Sequence, residues 1–168
     1  GEYDRIRDFT YDPSSKKVFV LSSRNTIHVY TPDGKFLKKI ETQDGYATSI
    51  EVLNARIILH YANSSGKTPI RFAIYDTSGV LLKNYQNQYL FDIEGAVISY
   101  LHECIIYRLA NELIIKELHS DTLFRLKGLD LVPYKIYNTE NHSFTAEVRG
   151  SKDYTENESD YIFIDQIF

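Results

Sequence analysis

The side chains able to do chemistry are few and scattered. Five histidines (His28, His60, His102, His119 and His142) are the first place to seek a metal centre. His102 and Cys104 share a face if they lie on one strand, and His119 and Asp121 do likewise. Neither pair extends to four ligands at zinc-like spacing, so no metal ligand is assigned and the histidines read as separate surface or edge residues. Cys104, inside CIIY, reads as a small buried hydrophobe and not as a nucleophile. The carboxylates Asp8, Asp12, Asp92 and Glu94 lie at strand-like segments and the loops that join them. Brought together they would serve acid/base work or hold Ca²⁺ or another divalent metal; kept apart they are turn caps and solvated rims. Tyr46 and Tyr89 fall on loops, where an exposed ring can stack on a sugar or meet a partner protein, or simply finish the scaffold at a strand end.

Motifs that carry a reaction are missing from the sequence. It holds no G-x-x-x-x-G-K-S/T and no G-x-S-x-G, and the acidic stretch 153–160 lacks the D-x-D-x-D-G order of a calcium loop. No catalytic residue is assigned. The net charge of −4 and pI near 5.7 supply no basic face for nucleic acid. No apolar run approaches the roughly 18 residues that a membrane-spanning helix requires. One cysteine excludes an internal disulfide without fixing the compartment. The chain contains no methionine and starts at Gly1, so it reads as a processed or excised piece whose targeting segment lies elsewhere.

The elements that must position these residues repeat. Residues 24–41 read RNTIHVYTPDGKFLKKIE and residues 69–85 read PIRFAIYDTSGVLLKNY; Tyr30 and Tyr75, Gly34 and Gly79, and Leu37 and Leu82 are each 45 residues apart. In the first unit, 6–12 alternates like a half-buried strand, 17–23 is a continuous apolar run, 26–31 alternates again, and 36–40 follows a tight Pro-Asp-Gly turn. The second unit restates this with 48–54, 56–62, 71–76 and 81–85, its middle strands joined by the polar loop 63–69. A weaker third copy lies 96 residues from the first, with strands at 103–109, 112–119, 122–127 and 133–137. AVISYL (96–101) is either an extra strand or an apolar connection. The stretch 138–160 reads as a long loop carrying a short strand around 144–148, and 161–168 looks like the first strand of a fourth unit.

Four-strand units recurring every 40 to 50 residues are the pattern of propeller blades. A lone four-stranded sheet covers neither of its apolar faces, so blades stack around an axis. The expected fold is therefore all-β, with antiparallel four-stranded blades at about 3–41, 46–87 and 96–138, a loop at 138–160 and the start of another blade at 161–168. In the first unit, turn signals every 8 to 12 residues leave no room for helix.

TIHVYTPDGKFLK and RFAIYDTSGVLLK resemble the blade pattern of NHL-type six-bladed β-propellers. SDTLFRLKGLDLVPYKI (120–136) is similar to a segment of bacterial six-bladed propellers that are secreted or lipid-anchored. The resemblance implies a ring of about 270 to 330 residues at ~45 to 50 per blade, of which this chain is one part. It implies periplasmic or cell-surface localisation and brings no reaction with it. Three functions are open: a non-enzymatic envelope scaffold for a protein, peptide or glycan; a metal-dependent propeller hydrolase, lyase or lactonase with a central-channel site; and a fragment that self-associates, two copies closing one ring as a homodimer.

Overall fold

In a computed structural model, residues 5–43, 45–94, 103–140, 142–151 and 158–162 are described. Among these residues twelve strands form three four-stranded antiparallel sheets, each a meander in chain order, and these are partial propeller blades. Blade 1 comprises β1 (Ile6–Asp12), β2 (Lys17–Ser22), β3 (Thr26–Tyr30) and β4 (Phe36–Glu41). Blade 2 comprises β5 (Ala47–Leu53), β6 (Arg56–Tyr61), β7 (Ile70–Asp76) and β8 (Leu81–Gln86). Blade 3 comprises β9 (Cys104–Leu109), β10 (Glu112–Glu117), β11 (Thr122–Lys127) and β12 (Asp130–Ile136).

The sequence repeat is a repeat of turn chemistry. Thr31 N donates to Lys35 O and Gly34 N to Thr31 O; Asp76 N donates to Val80 O and Gly79 N to Asp76 O. Position one also supplies a side-chain acceptor: Thr31 Oγ1 takes Lys35 N at 3.0 Å, and Asp76 Oδ1 takes Val80 N at 2.9 Å. Gly34 and Gly79 adopt φ of 88° and 105°, where a β-carbon is strained, which is why glycine recurs at this interval.

Contacts divide the chain into two compact units: Gly1–Ala62 with Ile70–Gln86, and Asn63–Pro69 with Asn87–Phe168. The first unit holds blades 1 and 2 face to face. In register, Phe19 lies opposite Val29, and Leu21 opposite Ile27. That face of blade 1 packs on Ile50, Val52, Ile57, Leu59 and Tyr75 of blade 2 in one continuous core. Burying such side chains contributes about 1.5–3 kcal/mol each, so this layer dominates the stability of the first unit. The second unit holds blade 3, the segments 63–69 and 87–94, and a short helix α1 (Ala146–Gly150).

Two expectations are corrected. Helix α1 stands where a strand at 144–148 was expected. Phe144, Ala146 and Val148 alternate as strand residues do, but Thr145 caps the segment by accepting Val148 N, Glu147 occupies the first turn and Arg149 the last. The backbone thereby satisfies itself without a neighbouring strand. The last strand of blade 3 begins at Asp130, three residues ahead of Pro133. Pro133 is tolerated because β12 is the sheet's edge, and the ladder shifts register beside it, between Leu123 and Phe124. The expectations for 96–101, for His102 and for 163–168 lie outside the described residues. Ile162 forms a single parallel bridge with Ser143.

Candidate functional site

Asp8 and Asp12 stand four residues apart on β1, and each is used by the scaffold. Asp8 Oδ2 accepts Ile50 N at 2.9 Å and Oδ1 accepts Phe9 N at 2.8 Å, so this carboxylate clamps blade 1 to blade 2. The adjacent Thr10 hydroxyl donates to Glu51 Oε1 across the same seam. Asp12 is buried and accepts from the backbone and hydroxyls of both Ser14 and Ser15, at 2.6 to 3.2 Å. Burial works against its charge. The donors of Ser15 and Ser14 outweigh that penalty and hold its carboxyl below the ordinary range.

Tyr46 precedes β5 on the loop between blades and is 53% exposed. Its ring is not loose. The Arg7 guanidinium lies 4.0 Å from the ring centroid, and Arg7 is itself pinned by bonds to Ala47 O (2.7 Å) and Ser23 O (3.1 Å). Ala62 N donates to Tyr46 O at 3.1 Å, fixing the backbone beneath. An aromatic ring held in this way is preorganised, and offering it to a ligand costs little ordering entropy.

Tyr89, Asp92 and Glu94 belong to the second unit. Tyr89 was expected to be exposed; it is half-buried, because its ring packs on that of His119 with centroids 4.4 Å apart. Its backbone is fastened at both ends, Tyr89 N donating to Asn87 Oδ1 and Tyr89 O accepting from Asn63 Nδ2. Asp92 is exposed and ion-paired with the equally exposed Lys67 at 3.3 Å, an arrangement of little energetic weight. Glu94 is exposed too, and its N–H donates to Gly150 O at 3.0 Å.

Beneath these loops lies a charge network that no sequence motif marked. Arg149 Nη2 donates to Glu103 Oε1 at 2.5 Å, and both side chains are 2% exposed. The other carboxylate oxygen of Glu103 accepts Asn63 N at 2.7 Å. Arg149 also stacks over Phe91, its guanidinium 5.0 Å from the ring centroid. Gly66 lets the chain pass this point: with φ of 74°, a β-carbon there would come within 2.0 Å of Phe91 O. One ion pair thus joins α1, the segment 63–69 and the entrance to β9.

Within the first unit Asp8 and Asp12 serve different hydrogen-bond systems, and within the second Asp92 and Glu94 both face solvent. Among the described residues no three His, Cys, Asp or Glu side chains form a metal-ligand group. Cys104 is buried, 4% exposed.

No curated protein matches the sequence. Among solved structures, a Bacteroides fragilis protein named as a presumed exported protein matches with a TM-score of 0.59 and 12% identity, over 80% of this chain and 38% of that one. Kluyveromyces lactis Hsv2 matches with a TM-score of 0.50 and 12% identity, over 79% of this chain and 36% of that one. Both are likenesses of fold, and this chain spans less than two fifths of either protein. The sequence itself matches one family along residues 1–168, and the chain belongs to it: DUF4934, a domain of unknown function.

Proposed function

We propose that this domain is a non-enzymatic binding scaffold of the bacterial cell envelope, part of a six-bladed NHL-type propeller, and that its loops hold a protein, peptide or glycan. The observation that carries the reading is the mounting of Tyr46: an exposed ring stiffened from behind by a doubly anchored arginine. The use of Asp8 and Asp12 as structural acceptors supports it from the other side, since acid/base work needs a carboxylate free to exchange a proton with substrate. An envelope location draws support from the Bacteroides fragilis protein of like fold, which is named as a presumed exported protein, and from the sequence resemblance. The test is a glycan array and an envelope-extract pull-down with the full-length protein. A ligand retained by the parent and lost on Tyr46→Ala is expected; no ligand above background on either would remove the reading.

One observation favours a second reading, self-association. Phe9 (68%), Tyr11 (44%) and Phe36 (42%) are exposed. The register places them on one face of blade 1 with Val18, Val20 and Tyr30. This is the repeat equivalent of the blade 2 face carrying Ile50, Val52 and Tyr75, which blade 1 covers. A second copy could seat a like face there. Light scattering would then give twice the 19.5 kDa chain, and a monomer at high concentration would end the idea.

A further inference from the structure

A cavity of about 120 Å³ opens between blades 1 and 2, away from the Tyr46 surface. Lys17 comes to it from the β1–β2 hairpin and Lys38 from β4, with Asp12 beside them and Phe19 and Val29 as its floor. Its charges do not balance. Among the described residues Asp12 is the one carboxylate on the wall, and the four donor groups of Ser14 and Ser15 occupy its oxygens. Lys17 lies opposite Asp12 in the ladder, yet among the described residues it makes no ion pair. Lys38 reaches across the seam to donate to Thr77 O, a neutral acceptor. Tying the blades together accounts for Lys38; it does not account for Lys17 or for the space between them.

Two lysines lining one cavity against one described carboxylate give its wall an excess of positive charge. Phe19 is 1% and Val29 0% exposed, so the floor is a low-dielectric wall that screens this charge poorly. One water needs about 10–15 Å³ of such space, so the cavity admits a group of several heavy atoms. It is well below the roughly 300 Å³ at which pockets for drug-sized ligands begin. Carboxylate, sulfate and phosphate groups fit both the size and the sign.

We propose that the cavity between blades 1 and 2 binds a small oxyanion group, with Lys17 and Lys38 as its cationic contacts. The group is either a free ion or the anionic end of a larger ligand. The site shares no residue with the Tyr46 surface, so its failure would leave the scaffold reading standing.

The experiment is a titration of ¹⁵N-labelled protein with inorganic phosphate, sodium chloride holding ionic strength constant. Saturable shifts of the Ser14, Ser15, Lys17 and Thr77 amides are expected, with millimolar affinity or better. Lys17→Gln should weaken binding by about tenfold or more, the usual effect of losing one charge-assisted hydrogen bond. Lys38→Gln should do the same while Lys38→Arg keeps binding, which separates the charge from the bond to Thr77 O. A sugar monophosphate run in parallel distinguishes the sources. Tighter binding than phosphate assigns the group to a larger ligand, and weaker binding assigns it to the free ion. Absence of saturable shifts with both probes, or shifts that Lys17→Gln leaves unchanged, would overturn the proposal.

Discussion

The seam between blades 1 and 2 and the interior of the second unit solve one problem with different materials. At the seam, Leu21, Ile27, Ile57 and Leu59 are all fully buried and meet as an aliphatic layer. In the second unit the middle strand β10 starts the same way with Leu113, Ile114 and Ile115, then buries Lys116 and Glu117 as well. The Glu103–Arg149 pair is buried in the same unit, its partners 46 residues apart in sequence. Apolar layers tolerate exchange of one hydrophobe for another, because dispersion and water exclusion are not directional. A buried charge tolerates no such exchange, since its partner remains behind in a poor solvent. The aliphatic layer of the seam is thus specified by pattern, and the buried charges of the second unit by particular residues.

The sharpest way to break that contrast is Arg149→Met. It leaves the Glu103 carboxylate buried with Asn63 N as its remaining described donor, at an expected cost of about 3–5 kcal/mol in urea unfolding. Adding Glu103→Gln should recover most of the loss, because the uncompensated charge is then gone. A single-variant cost within about 0.5 kcal/mol, typical of surface changes, would show that the pair does not specify this unit.

At the seam, Leu59→Ala should cost about 2–5 kcal/mol, through lost burial and the cavity left behind. Leu59→Met should cost less than about 1.5 kcal/mol, because volume and polarity are nearly conserved. Equal losses in the two variants, by the same unfolding measurement, would mean that shape and not apolar pattern sets the seam.

The same contrast explains what could be read in the sequence. Blades 1 and 2 were legible because alternation in TIHVY and RFAIY and glycine at a fixed turn position are local properties, set by strand pleat and backbone sterics. Strand β12 was misplaced at its start because Pro133 punctuates the sequence, while an edge strand has no need of its missing N–H. Helix α1 was misread because period-two apolarity over five residues fits a strand until Thr145 is recognised as a cap. Asp8 was legible as a carboxylate near a strand; its partner, Ile50 N, lies 42 residues on and follows from how the blades stack. Arg149 and Lys116 gave no signal at all. Long charged side chains are usually solvated, and only the folded chain shows them 7% and 2% exposed.

Lys116 offers the finest test, of small effect at neutral pH and distinctive in its pH dependence. Its ammonium donates to Glu117 O at 2.6 Å, a bond contributing about 1 kcal/mol. Burial lowers its pKa from the ordinary 10.5, and attraction to Glu117, Cys104 and Asp121 only partly opposes this. Because the lowered value belongs to the folded state, the unfolded chain holds more protons between that value and about 10.5, the value for free lysine. Stability from this group therefore rises with pH through that window; below it the charged side chain bears its full desolvation cost. Lys116→Met removes that cost together with the bond, so the net change near pH 7 should be about 1 kcal/mol or less. On raising the pH, the parent should gain stability relative to the variant, since only the parent is relieved of a buried charge. Parallel unfolding profiles for the two proteins across that window would show that Lys116 reaches water in the folded state, and the second unit would then be closer in kind to the seam.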